Sequence, residues 1–112
     1  MTGVAQSPGL PLEIADLIEQ AVLKVPGVSA LHGGAFGEVA TYLPGRRVSG
    51  IRVRDDLSEV HVVITWGTPV LATASAVRRV VHALVGTPVN VTIEDIIDLT
   101  LSESSNYSEE TT

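Results

Sequence analysis

Cysteine is absent from the 112 residues, which removes disulfides, thiolate metal sites and cysteine nucleophiles together. Aromatic residues are almost as scarce, with one Phe, one Trp and two Tyr, so there is little on which nucleobases could stack. Basic residues number seven against thirteen acids, whereas a nucleic-acid-binding domain usually carries a clear positive excess. No apolar run reaches the roughly eighteen residues of a membrane span. The opening stretch MTGVAQSPGLPLE has neither a basic leader nor a long apolar run and does not read as a secretory signal. These absences predict a soluble, cytoplasmic chain that binds no nucleic acid and inserts into no membrane.

What is present suffices for one folded unit. Hydrophobic residues make up 45% of the chain, an ordinary share for a globular domain, and the length suits a single core. The net charge of −6 belongs largely to one end. Four of the thirteen acids lie from Asp98 onward, which leaves nine acids and seven bases, or −2, for residues 1–97.

Residues 1–11 contain Gly3, Ser7, Pro8, Gly9 and Pro11 and read as a flexible arm. From Leu12, Ile14, Leu17, Ile18, Ala21, Val22 and Val25 recur at helical spacing and predict an amphipathic helix. Pro26-Gly27 ends it, and Val28 to Leu31 read as a short strand. HGGAFG is a loop, EVATYL a strand, Pro44-Gly45 a turn and RRVSGIRVR the returning strand. EVHVVITW places Val60, Val62, Ile64 and Trp66 on one face and His61 and Thr65 on the other. Thr68 and Pro69 then suit the start of a second helix, with Val70, Ala74, Val77, Val81 and Leu84 as its buried stripe. Gly86 stops it, and Val89, Val91 and Ile93 alternate with Asn90, Thr92 and Glu94 in a last strand. Residues 98–112 read as a disordered acidic tail. The expected domain, residues 12–97, is α+β: two helices on one face of a small, mainly antiparallel sheet, in the order α-β-β-β-β-α-β.

For chemistry the pattern offers little. His32, His61 and His82 have no His or Cys at ligand spacing and read as surface histidines, with no metal and no cofactor. Gly34 to Gly37 spells the letters of an RNA-clamping KH loop, but between predicted strands rather than helices. It reads as a flexible connection in which Phe36 is a candidate partner contact. Arg46, Arg47, Arg52 and Arg54 crowd one predicted hairpin, and Arg78 and Arg79 lie on the second helix. Guanidinium forks suit phosphates and carboxylates. A solvated face balanced by Asp55, Asp56 and Glu59 is the plainer reading, and a protein partner the alternative. No nucleophile motif, phosphate loop or dinucleotide fingerprint occurs, so no enzyme is expected.

The order of these segments resembles the alkaline shock protein family, envelope stress response proteins of Gram-positive bacteria. IADLIEQAVLKVPGVSAL resembles that family's first helix and its Pro-Gly-Val exit. VSGIRVRDDLSEVHVVITWGTPV resembles its paired strands and aromatic-Gly step. VRRVVHALVGTPVNVTIEDI resembles its second helix and Val-Asn-Val strand. Val28, Val89, Asn90 and Val91 are the markers, and residues 12–97 are covered. Two departures stand out: a short link between the second helix and Val89, and a Gly- and Arg-rich stretch over residues 32–47. The resemblance implies no catalytic residue and no cofactor. It implies a non-enzymatic role in cell-envelope homeostasis, as a protein–protein interaction module held at the cytoplasmic face of the membrane by a membrane-anchored partner, with self-association into a homo-oligomer. A ferredoxin-like small-molecule-sensing module and a KH-like RNA-binding domain are the alternative readings.

Overall fold

The computed structural model describes residues 13–99. The expected arm over residues 1–11, Leu12, and all but the first two residues of the expected tail lie outside the described residues.

Helix α1 spans Ile14–Leu23. Its first turn is closed by a capping box in which the Glu13 N–H donates to Asp16 Oδ2 at 3.0 Å, satisfying a backbone donor that the helix itself leaves unpaired. Ala15, Ile18 and Val22, one or two turns apart, are fully buried, with Val25 just beyond. Strand β1, Val28–Leu31, follows the Pro26-Gly27 turn.

A hairpin comes next, β2 (Ala40–Leu43) and β3 (Arg46–Ser49), then the short β4 (Ile51–Arg52) and the long β5 (Ser58–Thr65). Helix α2 covers Val70–Val85 and strand β6 Val89–Ile97. The α-β-β-β-β-α-β order holds, with the third predicted strand cut into β3 and β4 at Gly50. Three of the four strand pairings are antiparallel. The fourth, β5 with β6, is parallel, as a strand–helix–strand crossover requires.

β5 is the spine. Along one edge it pairs with β6 from Ser58↔Val89 to Thr65↔Ile97. Along the other it pairs with two short strands laid end to end. β1 covers its second half, Val28↔Ile64 to Leu31↔Val62, and β4 its first, Ile51↔Val60 and Arg52↔Glu59. The joint is at His61. Its carbonyl accepts the His32 N–H at 3.0 Å, and its own N–H donates to Gly50 O at 2.9 Å. One edge is thus a single strand interrupted by residues 33–49, whose hairpin forms a separate two-stranded sheet.

Both helices cover one face of β5. Ile18 and Val22 of α1, Val77 and Val81 of α2, and Val60, Val62 and Ile64 of β5 are all fully buried in one cluster, joined by Ile51, Val48 and Val89. Each such side chain contributes roughly 1.5–3 kcal/mol by leaving water.

Three local expectations are corrected. Thr68 does not cap α2. Its N–H closes a turn onto Thr65 O at 3.1 Å, and Pro69 occupies the cap position with no side-chain bond. The buried stripe of α2 runs through Thr73, Val77 and Val81, while Val70 and Leu84 are exposed; the helix is rolled so that a threonine faces inward. Trp66 does not continue the buried row of β5. The ladder ends at Thr65, and the indole, one residue beyond, is 68% exposed.

Candidate functional site

The face of β5 opposite the helices carries Glu59 and His61. A bulge in β6 between the Val62↔Ile93 and Val63↔Asp95 pairs leaves Glu94 as an extra residue, and bulges characteristically re-aim a side chain. Glu94 Oε2 lies 2.5 Å from His61 Nδ1, and Glu59 Oε1 lies 3.7 Å from His61 Nε2. His61 is therefore no surface histidine. Its side chain is only 13% exposed and faces a carboxylate at each ring nitrogen. Arg52 and Arg54 approach the other Glu59 oxygen at 3.8 and 3.6 Å, and Arg52 also donates to Glu38 O. Of the three acids placed near these arginines by the sequence, Glu59 is the one that pairs with them. Among the described residues no group of three or more His, Cys, Asp or Glu is arranged to hold a metal ion.

The other sequence candidates are dispersed. Arg46 turns away from Arg52 and Arg54 and makes a two-pronged ion pair with Asp16, Nη1–Oδ1 2.6 Å and Nη2–Oδ2 2.7 Å. Two parallel bonds suit the planar guanidinium and add direction to the attraction. They pin the hairpin to the first turn of α1. Arg47, its neighbour on β3, is exposed. Phe36 is 92% exposed at the tip of residues 34–37, a turn closed by the Gly37 N–H on Gly34 O and joining β1 to β2, not two helices. The N–H groups of Glu38 itself and of Phe36 hold the Glu38 carboxyl below its ordinary range.

The Arg46 hydrogen bonds, working against desolvation, likewise hold the Asp16 carboxyl below the usual aspartate range. Its stabilising contribution is fully present above the unfolded-state pKa of about 3.9 and is lost as pH falls through the lower folded value. Thermal melts of wild type and Asp16→Asn should therefore diverge most above about pH 4 and converge in stronger acid. At neutral pH Asp16→Ala should cost about 1 kcal/mol, through the lost capping box.

Arg78 and Arg79 line a groove of about 490 Å³ with Ser75, His82, Pro88 and Val89. Arg78 Nε donates to Val89 O at 3.2 Å, and His82 Nδ1 lies 2.9 Å from Thr87 O. This groove joins the outer side of α2 to the start of β6.

Comparison with protein-family models, curated proteins and solved structures gives no match.

The feature that sequence reading missed lies at the far end of α2. Trp66, Val70 and Ile96 border a second groove of about 400 Å³, floored by Ile64 and closed by Gly67, Thr68 and Pro69. All three apolar side chains are substantially exposed, and Leu71, next along the helix, is 83% exposed. An alternating pattern assigned Trp66 to the core, which hid the cluster. The available signal was the Trp66-Gly67-Thr68-Pro69 turn itself, since a strand cannot continue through it.

Proposed function

We propose that this chain is a non-enzymatic protein–protein interaction module, and that it serves cell-envelope homeostasis at the cytoplasmic face of the membrane by binding a membrane-anchored protein. The envelope role rests on the resemblance to the alkaline shock protein family. The interaction role is carried by one observation, the exposure of Trp66, Val70 and Ile96 around an open groove at the end of the β5–α2–β6 unit, with Leu71 exposed beside Val70 on α2. Soluble domains rarely leave large apolar side chains clustered in water without a use for them. Trp is also prominent among residues that dominate binding energy.

His61 and its carboxylate neighbours support the same reading. The network pairs its charges internally. No helix among the described residues is long and apolar enough to cross a membrane; this reading assigns the attachment to a partner.

The test is a paired measurement on Trp66→Ala/Leu71→Ala. Its melting temperature should stay within about 3 °C of wild type, since exposed side chains contribute little to stability. Retention of its membrane partner on an affinity column should fall at least tenfold, the scale of a lost hot spot. Undiminished retention at equal loading would remove this face from the account.

A further inference from the structure

We propose that the free edge of β6 pairs with the β6 edge of a second copy of this chain, antiparallel, about a two-fold axis at Thr92. The proposal is independent of the Trp66 face.

Among the described residues β6 is paired on one side only, with β5. The Ser58 N–H donates to Pro88 O and the Trp66 N–H to Ile97 O. In a parallel ladder with Ser58↔Val89 and Ile64↔Ile96 as partners, these bonds turn the backbone groups of Val89, Val91 and Ile93, and the N–H of Ile96, outward. Two of those outward groups are already engaged, at opposite ends and by opposite charges. Val89 O accepts from Arg78 Nε at 3.2 Å, and the Ile96 N–H donates to Asp95 Oδ1 at 2.8 Å. Each bond holds a charged group at the sheet edge. Arg79 adds basic character beside Val89, and the Asp95 carboxylate makes the other end acidic. Between the two ends, the edge-facing groups of Val91 and Ile93 have no hydrogen-bond partner among the described residues.

An edge that is basic at its start, acidic at its end and open in the middle is complementary to itself when reversed. Antiparallel pairing about Thr92 sets Val91 opposite Ile93 of the second copy, and Ile93 opposite Val91, as hydrogen-bonded pairs. Counted past the extra residue Glu94, it brings Ile96 of each copy, with the Asp95 carboxylate bonded to its N–H, alongside Val89 and Arg78 of the other. Parallel pairing in register would instead oppose like charges. A two-fold interface uses the same patch on both copies, and this edge meets that condition by charge as well as by geometry. An acidic peptide from another protein would match the Arg78 end but be repelled at Asp95.

Thr92 sits on the axis in a non-hydrogen-bonded position, where facing Cα atoms are about 4.5 Å apart, within disulfide range. The chain has no native cysteine, so Thr92→Cys and Asn90→Cys each introduce a single thiol at an exposed position of β6. Under mild oxidation Thr92→Cys should form covalent dimer at least tenfold faster than Asn90→Cys, whose two copies lie four residues out of register. Adding Asp95→Arg should slow the Thr92→Cys reaction about tenfold by opposing Arg78, and combining it with Arg78→Asp should recover most of the rate. Equal, slow rates for the two cysteine variants would overturn the pairing. So would faster coupling of Asn90→Cys, or a Thr92→Cys rate indifferent to Asp95→Arg.

Discussion

Replacing Gly50 with Ala should lower the melting temperature by roughly 10–30 °C, the effect of about 2–4 kcal/mol on a domain this small. Gly50 stands where β4 takes over from β1 along the edge of β5, with φ +84°, a conformation that costs an L-residue about 1–2 kcal/mol. Space is the second obstacle. A Cβ there would lie 2.9 Å from the His32 backbone nitrogen, 3.0 Å from His61 O and 3.0 Å from Leu31 Cβ. Two of those atoms are backbone, and they bond to each other across the joint, so neither yields cheaply. Gly45 separates the two causes. It also has positive φ, +78°, but nothing lies within 4 Å of its would-be Cβ. Gly45→Ala should cost only the conformational part, about 1 kcal/mol, and chemical denaturation of the two variants side by side measures the difference. Equal losses would mean that the joint at His61 is not tightly packed.

Ile64→Ala should cost about 3–4 kcal/mol, the range for emptying a fully buried aliphatic site. Ile64 lies in the second half of β5, pairs with Val28 on one side and Ile96 on the other, and has no exposed surface. Ile64→Val should cost about 1 kcal/mol, because most of the volume remains. Its neighbour across the ladder supplies the contrast. Ile96 is 41% exposed, and Ile96→Ala should cost under about 1 kcal/mol while weakening partner binding at the Trp66 groove. Urea unfolding read by fluorescence of the single Trp would rank all three. A ranking that put Ile96 with Ile64 would show that the groove is part of the core rather than a surface for another protein.

The layout was legible where physics is local. The three- and four-residue spacing of Ile14, Ile18 and Val22 and the alternation of Val60, Val62 and Ile64 were enough to place α1 and β5 and to orient their buried sides. Gly50 was visible inside RRVSGIRVR, but a lone glycine in a strand pattern does not say whether the strand bends or ends. Its meaning depends on His32 and His61, which are distant in sequence. Long-range pairs left no local trace. Asp16 reads as a helix-dipole acid until Arg46 arrives from a hairpin thirty residues away, and His61 reads as solvated until the bulge in β6 brings Glu94 against it. The arginines read as crowding one hairpin, but the break at Gly50 leaves only Arg46 and Arg47 on β3 and places Arg52 on β4, in the other sheet, so that Arg46 goes to α1 and Arg52 and Arg54 go to Glu59. Trp66 was misplaced because a period-two count carries on past the residue at which the ladder stops. The roll of α2 was hidden by Thr73, a polar residue on the buried stripe.

The central claim is that the exposed apolar end around Trp66 holds a protein at the membrane. The most direct measurement installs a photo-reactive phenylalanine analogue at position 66, and separately at Tyr42, which is exposed on β2 away from that groove, in cells carrying the protein at its native level. Irradiation should give a discrete covalent adduct from position 66 that fractionates with membranes and disappears when Leu71→Ala is added, with no such adduct from position 42. No adduct at position 66, or one formed equally from both positions, would contradict the account.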